Sequence, residues 1–459
     1  MSEPLESCPS FFQRALAELG LTSLAVSSSD IKLLCLQRFV RLFAYGASTL
    51  ILVAFLTELG NSKERSGLFM TLTLVGDIFI SLILTLIADR VGRKAILAIG
   101  AVLMTLSGAV FAISSNYWVL LVAAVLGVIS PSGNEIGPFK AIEESIIAHL
   151  TPTDQRSDIF AWYTLFGFAG TASGMMVGGW LIEILRLKLH WDVVRAYRIV
   201  FVVYAALGLV KFVMTICLSR KVESEPKPVV EQSSDAQPSE SSRLLPDQPP
   251  SEAAPPKKRR FALFATLSAE SQRIVAVLCL LFAFDAFGAG LAPLSWITFY
   301  FKSRFGIDEG ALGSIFFTAS IISSISVLVA SPLSKRLGDV KTMVFTHLPS
   351  SVFLALLPLP SNPRIATLLL LLRSSLQSMD SAPRSAFLAK VLLPEERTSV
   401  IGMTNVVKTM AQSAGPLITG VLAGRNLFWV CFVAAGSFKM AYDLGMFVVF
   451  STYERSEAH

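Results

Sequence analysis

The chain has 459 residues, of which 53% are hydrophobic and only 16% charged, a balance too apolar for an ordinary soluble protein. Its net charge of +6 would suit a nucleic-acid surface, but the placement of the basic residues argues against that partner and for a membrane. The five cysteines (Cys8, Cys35, Cys217, Cys279 and Cys431) are scattered, and they fit neither a disulfide framework nor a metal site.

Crossing a hydrocarbon layer of about 30 Å takes roughly 20 helical residues. Apolar runs of that order recur at 39–59, 68–88, 95–114, 118–130 with a broken continuation, 159–184 and 199–218. A second series follows at 274–300, 312–333, 343–360, 365–388, 400–423 and 428–450. The pattern predicts an all-α membrane protein of twelve spans, six before a polar gap and six after it. The first run starts near Phe39, so no cleavable secretion signal is expected.

With both ends in the cytoplasm, Lys and Arg are roughly twice as frequent in cytoplasmic segments as in exterior ones. Residues 1–38 and 452–459 then form cytoplasmic tails, 39–219 and 273–451 the two six-helix bundles. Residues 220–272, rich in Ser, Pro and Glu, read as a disordered linker. Arg186, Lys188, Arg195 and Arg198 depart from the charge bias and are expected to be solvated in an exterior loop.

The halves align. Gly92 matches Gly338, Glu135-Ile-Gly-Pro138 matches Asp380-Ser-Ala-Pro383, Arg156 matches Arg397, and Gly174 matches Gly415. Two such repeats predict one enclosed site at their shared interface.

Between spans two and three stands Thr85-Leu-Ile-Ala-Asp89-Arg90-Val-Gly92-Arg93-Lys94, with Leu97 beyond. It resembles the loop signature of the major facilitator superfamily, whose fold is two pseudo-symmetric six-helix bundles. The resemblance implies a gating loop in which Asp89 pairs with basic groups and a helix end, around Arg90, Gly92 and Arg93. Thr85 stands where the family usually has Gly. The second copy, Ser331-Pro-Leu-Ser-Lys335-Arg-Leu-Gly338, lacks the acid.

Span five carries Gly170-Thr-Ala-Ser-Gly174-Met175-Met-Val-Gly178-Gly179, similar to the antiporter motif of the family's exporters, with Met175 in place of the usual Pro. Span eleven has a mirror copy, Gly415-Pro416-Leu-Ile-Thr-Gly420. Plain helix packing is the competing reading of these glycines. Ser130-Pro-Ser-Gly-Asn134-Glu135-Ile-Gly-Pro-Phe139 and Met379-Asp380-Ser-Ala-Pro-Arg384 resemble segments of an uncharacterised bacterial and fungal subgroup. Ala123 occupies the place of the arginine that drug–proton antiporters carry in span four.

An ionisable group within a span costs about 2.5–3.5 kcal/mol on insertion scales, so each is a functional candidate. Asp77 sits in span two with Ser81 and Thr85 on its face, and Asp285 in span seven near Gly288 and Gly290. Arg373, Gln377, Asp380 and Arg384 form one stripe on span ten, and Asn405, Lys408 and Gln412 another on span eleven. Spans four and ten are expected to break at Pro131, Gly133, Gly137 and Pro138 and at Pro383, beside Asn134, Glu135 and Asp380. Glu135, Asp77 or Asp380 is the candidate proton carrier, while Arg373, Arg384 and Lys408 would meet an anionic substrate group. Asp380 and Arg384, four apart, also read as a neutralising pair. Glu143 and Glu144 are expected in water, and His347 as a hydrogen-bonded packing residue.

Glu240-Ser-Ser-Arg-Leu-Leu245 resembles an acidic dileucine signal read by adaptor proteins, and Lys257-Lys-Arg-Arg260 suits anionic lipid. The expectation is a monomeric secondary transporter working by alternating access on a small solute, coupled to protons and directed outward. It would sit in the plasma membrane or a vacuolar or endolysosomal membrane, with no cofactor, metal or enzymatic site, since His149, His190, His347 and His459 show no ligand spacing. A proton-independent facilitator, an anion importer and a non-transporting sensor are the alternatives.

Overall fold

The computed structural model describes residues 21–127, 129, 138–152, 155–223, 269–391 and 397–456. Among them are sixteen α-helices and one 3-10 turn. In the first half these are α1 (Leu21–Val26), α2 (Ser29–Glu58), α3 (Lys63–Val91), α4 (Arg93–Ile113), α5 (Tyr117–Leu126), α6 (Pro138–Leu150), α7 (Arg156–Leu187) and α8 (Val193–Ile216). The second half has α9 (Ala269–Leu291), α10 (Leu294–Phe305), α11 (Glu309–Leu337), α12 (Asp339–Leu356), α13 (Pro363–Leu376), α14 (Ser381–Val391), α15 (Arg397–Gly424) and α16 (Phe428–Ser456).

Among the described residues, eight helices are long and apolar enough to cross a membrane. The pairs α5/α6, α9/α10 and α13/α14 each read as one interrupted passage. With the short α1 set aside, the arrangement is consistent with twelve.

Local chemistry sets the ends of the helices. Asn116, Asp192 and Asn362 each accept a hydrogen bond from a backbone N–H of the first turn they cap. Gly92 and Gly338 join α3 to α4 and α11 to α12 at φ of 99° and 91°, a region that disfavours any side chain. The two glycines matched in the sequence therefore make the same joint in each half.

Three boundaries differ from the sequence expectation. Helix α2 begins ten residues before the apolar run at 39 and buries Asp30, Gln37 and Arg38. Asp30 holds the end of the sixth passage, accepting from Ser219 N at 2.8 Å and Ser219 Oγ at 2.5 Å. Structure also continues past 219: Arg220–Val222 form a 3-10 turn, and the next described helix opens at Ala269. In passage ten the interruption falls at Gln377–Asp380, ahead of Pro383, which sits in the first turn of α14. Proline is tolerated there because its missing N–H would have no helical partner anyway.

The two halves pack alike. Passage one lies on passage five (α2 on α7) and seven on eleven (α9 on α15). Passage three lies on six (α4 on α8) and nine on twelve (α12 on α16). Between halves, α3 meets α15 and α7 meets α11. The hydrogen bonds across that seam gather at one end, the outer one by the charge bias. There Lys63 Nζ donates to Ala423 O at 3.3 Å, Leu417 N to Thr71 Oγ1 at 3.1 Å, and Trp180 Nε1 to Ser314 Oγ at 3.0 Å. The described molecule is closed on that side.

Candidate functional site: a charged cavity in the second half

A cavity of about 360 Å³ lies among passages seven, nine, ten, eleven and twelve. It gathers Asp285, His347, Arg373, Asp380, Arg384, Lys408 and Lys439. Among the described residues its lining comes from the second half alone, whereas the sequence repeat predicts a site shared by both.

The charges form a chain. Lys439 Nζ donates to Asp285 Oδ1 at 2.6 Å, and Arg384 Nη1 to Asp285 Oδ2 at 3.3 Å. Arg384 also holds Asp380 across one helical turn. His347 lies 3.8 Å from Asp285 through Nε2 and 2.8 Å from Asp443 Oδ1 through Nδ1. Ser351 Oγ completes Asp443 at 3.2 Å. The guanidinium of Arg384 rests over the rings of Phe282 and Tyr442, at 5.4 and 5.3 Å.

The stripe Arg373, Gln377, Asp380 and Arg384 does converge on this cavity, as do Asp285, Lys408 and Gln412. Asn405 does not: it is exposed, and its backbone carbonyl accepts from Thr409 Oγ1 at 2.8 Å. It stands nearly one turn before Lys408 on α15, toward the end where the seam has no hydrogen bonds among the described residues. His347, expected as a packing residue, lines the cavity and links two acids.

The first half holds a buried counterpart. Glu143, expected in water, is 0% exposed and pairs with Arg41 at 2.8 Å and Lys211 at 3.5 Å. Tyr163 OH donates to it at 2.6 Å, and Arg38 stacks 3.9 Å above the Tyr163 ring. Glu143 sits on the inner face of α6, where cations from passages one and six stabilise a carboxylate that burial alone would expel. Glu144, one position on, is half-exposed beside Lys140. Lys211, Lys439 and Asp443 stand inside apolar runs, so the insertion-cost argument applied to Asp77 would also have found them.

Asp77 is 2% exposed, and neither of its oxygens, nor Ser81 Oγ, makes a hydrogen bond among the described residues. Asn134 and Glu135 lie outside the described residues, as do the breaks at Pro131, Gly133 and Gly137 and the segment 240–245. Asp89 and Arg90 close α3, but their side chains lie outside the described set. At the loop itself, Glu223 accepts from Arg93 N at 2.7 Å and Lys94 N at 3.1 Å. A carboxylate at a helix N-terminus satisfies free N–H groups and meets the positive end of the dipole.

The glycines of passage five seat it on passage one. Gly170 faces the Phe39 carbonyl, Gly174 that of Phe43, and Gly178 faces Ala47. Gly415, before Pro416, packs on Gly290 of passage seven. On the outer side Arg186, expected to be solvated, instead pairs with Glu309 of the other half at 3.1 Å, with Tyr197 OH donating to Glu309 at 2.7 Å and Lys302 pairing at 2.5 Å. No cluster of three or more metal-ligating side chains exists among the described residues.

The Major Facilitator Superfamily model matches residues 34–371 and 278–457. Over 434 residues the chain is 34% identical to the uncharacterized membrane protein YJR124C of Saccharomyces cerevisiae, covering 91% of this chain and 93% of that one. The quinolone resistance protein NorA of Staphylococcus aureus is 26% identical over 191 residues, 42% of this chain and 45% of NorA. The crystal structure of the nucleoside transporter NupG shares the fold at a TM-score of 0.65 and 14% identity, over 92% of this chain and 99% of that one. A multi-pass integral membrane protein with this packing and these relatives belongs to the major facilitator superfamily.

Proposed function

We propose that the protein is a secondary transporter that carries a small solute by alternating access, coupled to protons and directed out of the cytoplasm. The observation that carries this reading is the charged cavity among passages seven, nine, ten, eleven and twelve of an otherwise apolar chain. Charges at that depth are costly unless they serve a pathway. The seam hydrogen bonds at the outer end support an inward-open resting state, with the halves rocking to reverse it. Asp77, buried and without a hydrogen bond among the described residues, is the acid whose burial best suits proton uptake and release. Resemblance to NorA over part of the chain supports the outward direction.

The test is a distance. Spin labels at Ser62→Cys and Arg425→Cys, both exposed at the outer end, report the gap between the halves. Alternating access predicts two populations, the longer one growing or shrinking with pH. One short distance at every pH would sink the proposal.

A further inference from the structure

The charges of the cavity do not balance. Its lining holds four basic side chains (Arg373, Arg384, Lys408 and Lys439) against Asp285 and Asp380. Asp443 lies behind His347 and is engaged by it and by Ser351. Asp285 is taken by Lys439 and Arg384, and Asp380 by Arg384. That leaves Arg373 and Lys408, whose side chains make neither a hydrogen bond nor an ion pair among the described residues. Both nonetheless face the cavity.

These two cations reach the space from different passages, ten and eleven. Lys408 Nζ lies 5.5 Å from the centre of the Phe282 ring, and the Arg384 guanidinium 5.4 Å from the same ring, so both stand by that ring. Across the interruption at Gln377–Asp380 from Arg384, Arg373 stands in the last turn of α13. Its backbone adjoins passage nine, where Ser350 Oγ donates to Arg373 O. The wall also carries the polar groups Ser350, Gln377 and Gln412 beside the apolar Ala289 and Ile297. Two unpaired cations lining one cavity repel each other. A ligand with an anionic group at either end relieves both at once, and guanidinium and ammonium are the groups that bind carboxylate or phosphate most strongly.

We propose that the cavity binds a small organic dianion with a charge at each end, a dicarboxylate. One anionic group sits on Arg373 and the other between Lys408 and Arg384, with the linking carbons along Ala289 and Ile297. That this ligand is the transported solute rests on the carrier reading above; that it binds does not.

Purified full-length protein in micelles is titrated with glutarate and succinate, and with the uncharged glutaramide and succinamide, at fixed ionic strength. Thermal unfolding is the readout. At least one dianion should raise the midpoint saturably while the uncharged compounds do not. Arg373→Gln and Lys408→Gln should each weaken that binding by about tenfold or more. Arg373→Lys should retain most of it, and Lys188→Gln, exposed and remote, all of it. Should Arg373→Gln not fold, Lys408→Gln alone decides. The proposal is overturned if neither dianion gives a saturable shift, if glutaramide matches glutarate, or if Lys408→Gln binds as the parent does. None of these results would alter the outer-end distances between spin labels, so loss of the dianion site and loss of alternating access are told apart.

Discussion

Lys211 and Lys439 each follow by three residues a glycine that seats the sixth passage of its half on the third. Gly208 meets Thr105, and Gly436 meets Ser351. Each lysine then bonds an acid from another passage of its own half, Glu143 at 3.5 Å and Asp285 at 2.6 Å. The third member differs in sign: passage one supplies the cation Arg41 and passage four the acid, whereas passage seven supplies the acid and passage ten the cation Arg384. The same three helix positions thus build a sealed network in one half and a cavity-lining one in the other.

The sealed network should be the more sensitive of the two. Glu143→Gln removes the carboxylate that Arg41, Lys211 and Tyr163 share at 0% exposure, at a cost on the order of 3 kcal/mol. Lys439→Gln, at the cavity wall, should cost less because the cavity can hydrate Asp285. Thermal midpoints in micelles check this, and equal losses for the two variants would contradict the distinction.

Asp77→Asn should leave the fold intact, since no hydrogen bond among the described residues depends on the carboxylate. An amide cannot take up or release the coupling proton, so the outer-end spin-label populations should stop responding to pH. A variant as pH-sensitive as the parent would exclude Asp77 from coupling and direct attention to the other acids.

Glu309 joins the halves at the outer end through Arg186 and Tyr197, with Lys302 of its own half pairing beside them. Charge-assisted bonds of this kind contribute about 1–3 kcal/mol. Glu309→Gln should therefore raise the outward-open population by roughly 5–150-fold relative to the closed one. Label distances at Ser62 and Arg425 measure it directly. An unchanged ratio would mean that the cluster contributes nothing to closure.

Gly174 faces the carbonyl of Phe43, and any Cβ there would overlap it. Gly174→Ala should push passage five from passage one, destabilising by about 1–3 kcal/mol. If the glycine only packs, the pH response of the surviving folded protein stays normal. Lost pH response at an unchanged thermal midpoint would instead favour a coupling role for the motif.

Much of the architecture was legible in the residues. Length and run spacing marked the passages, because a hydrocarbon layer sets a minimum apolar length. The Gly92 and Gly338 joints were readable because their positive φ permits little else. The stripe on passage ten was visible from its period, and it lines the cavity. Glu143 was misread because proximity to a helix end says nothing of which neighbour covers it. Arg186 was misread for the same reason: its partner Glu309 lies 123 residues away in the other half.

The sequence by itself determined the number of apolar runs, their two-fold repetition and which faces carry charge, since each follows from periodicity along one helix. Only the tertiary structure decided which charges meet. Lateral order among helices is set by where small residues such as Gly174, Gly208, Gly415 and Gly436 let backbones approach. That order puts Asp285 between Arg384 and Lys439, and leaves Arg373 and Lys408 facing the cavity without an ion pair among the described residues.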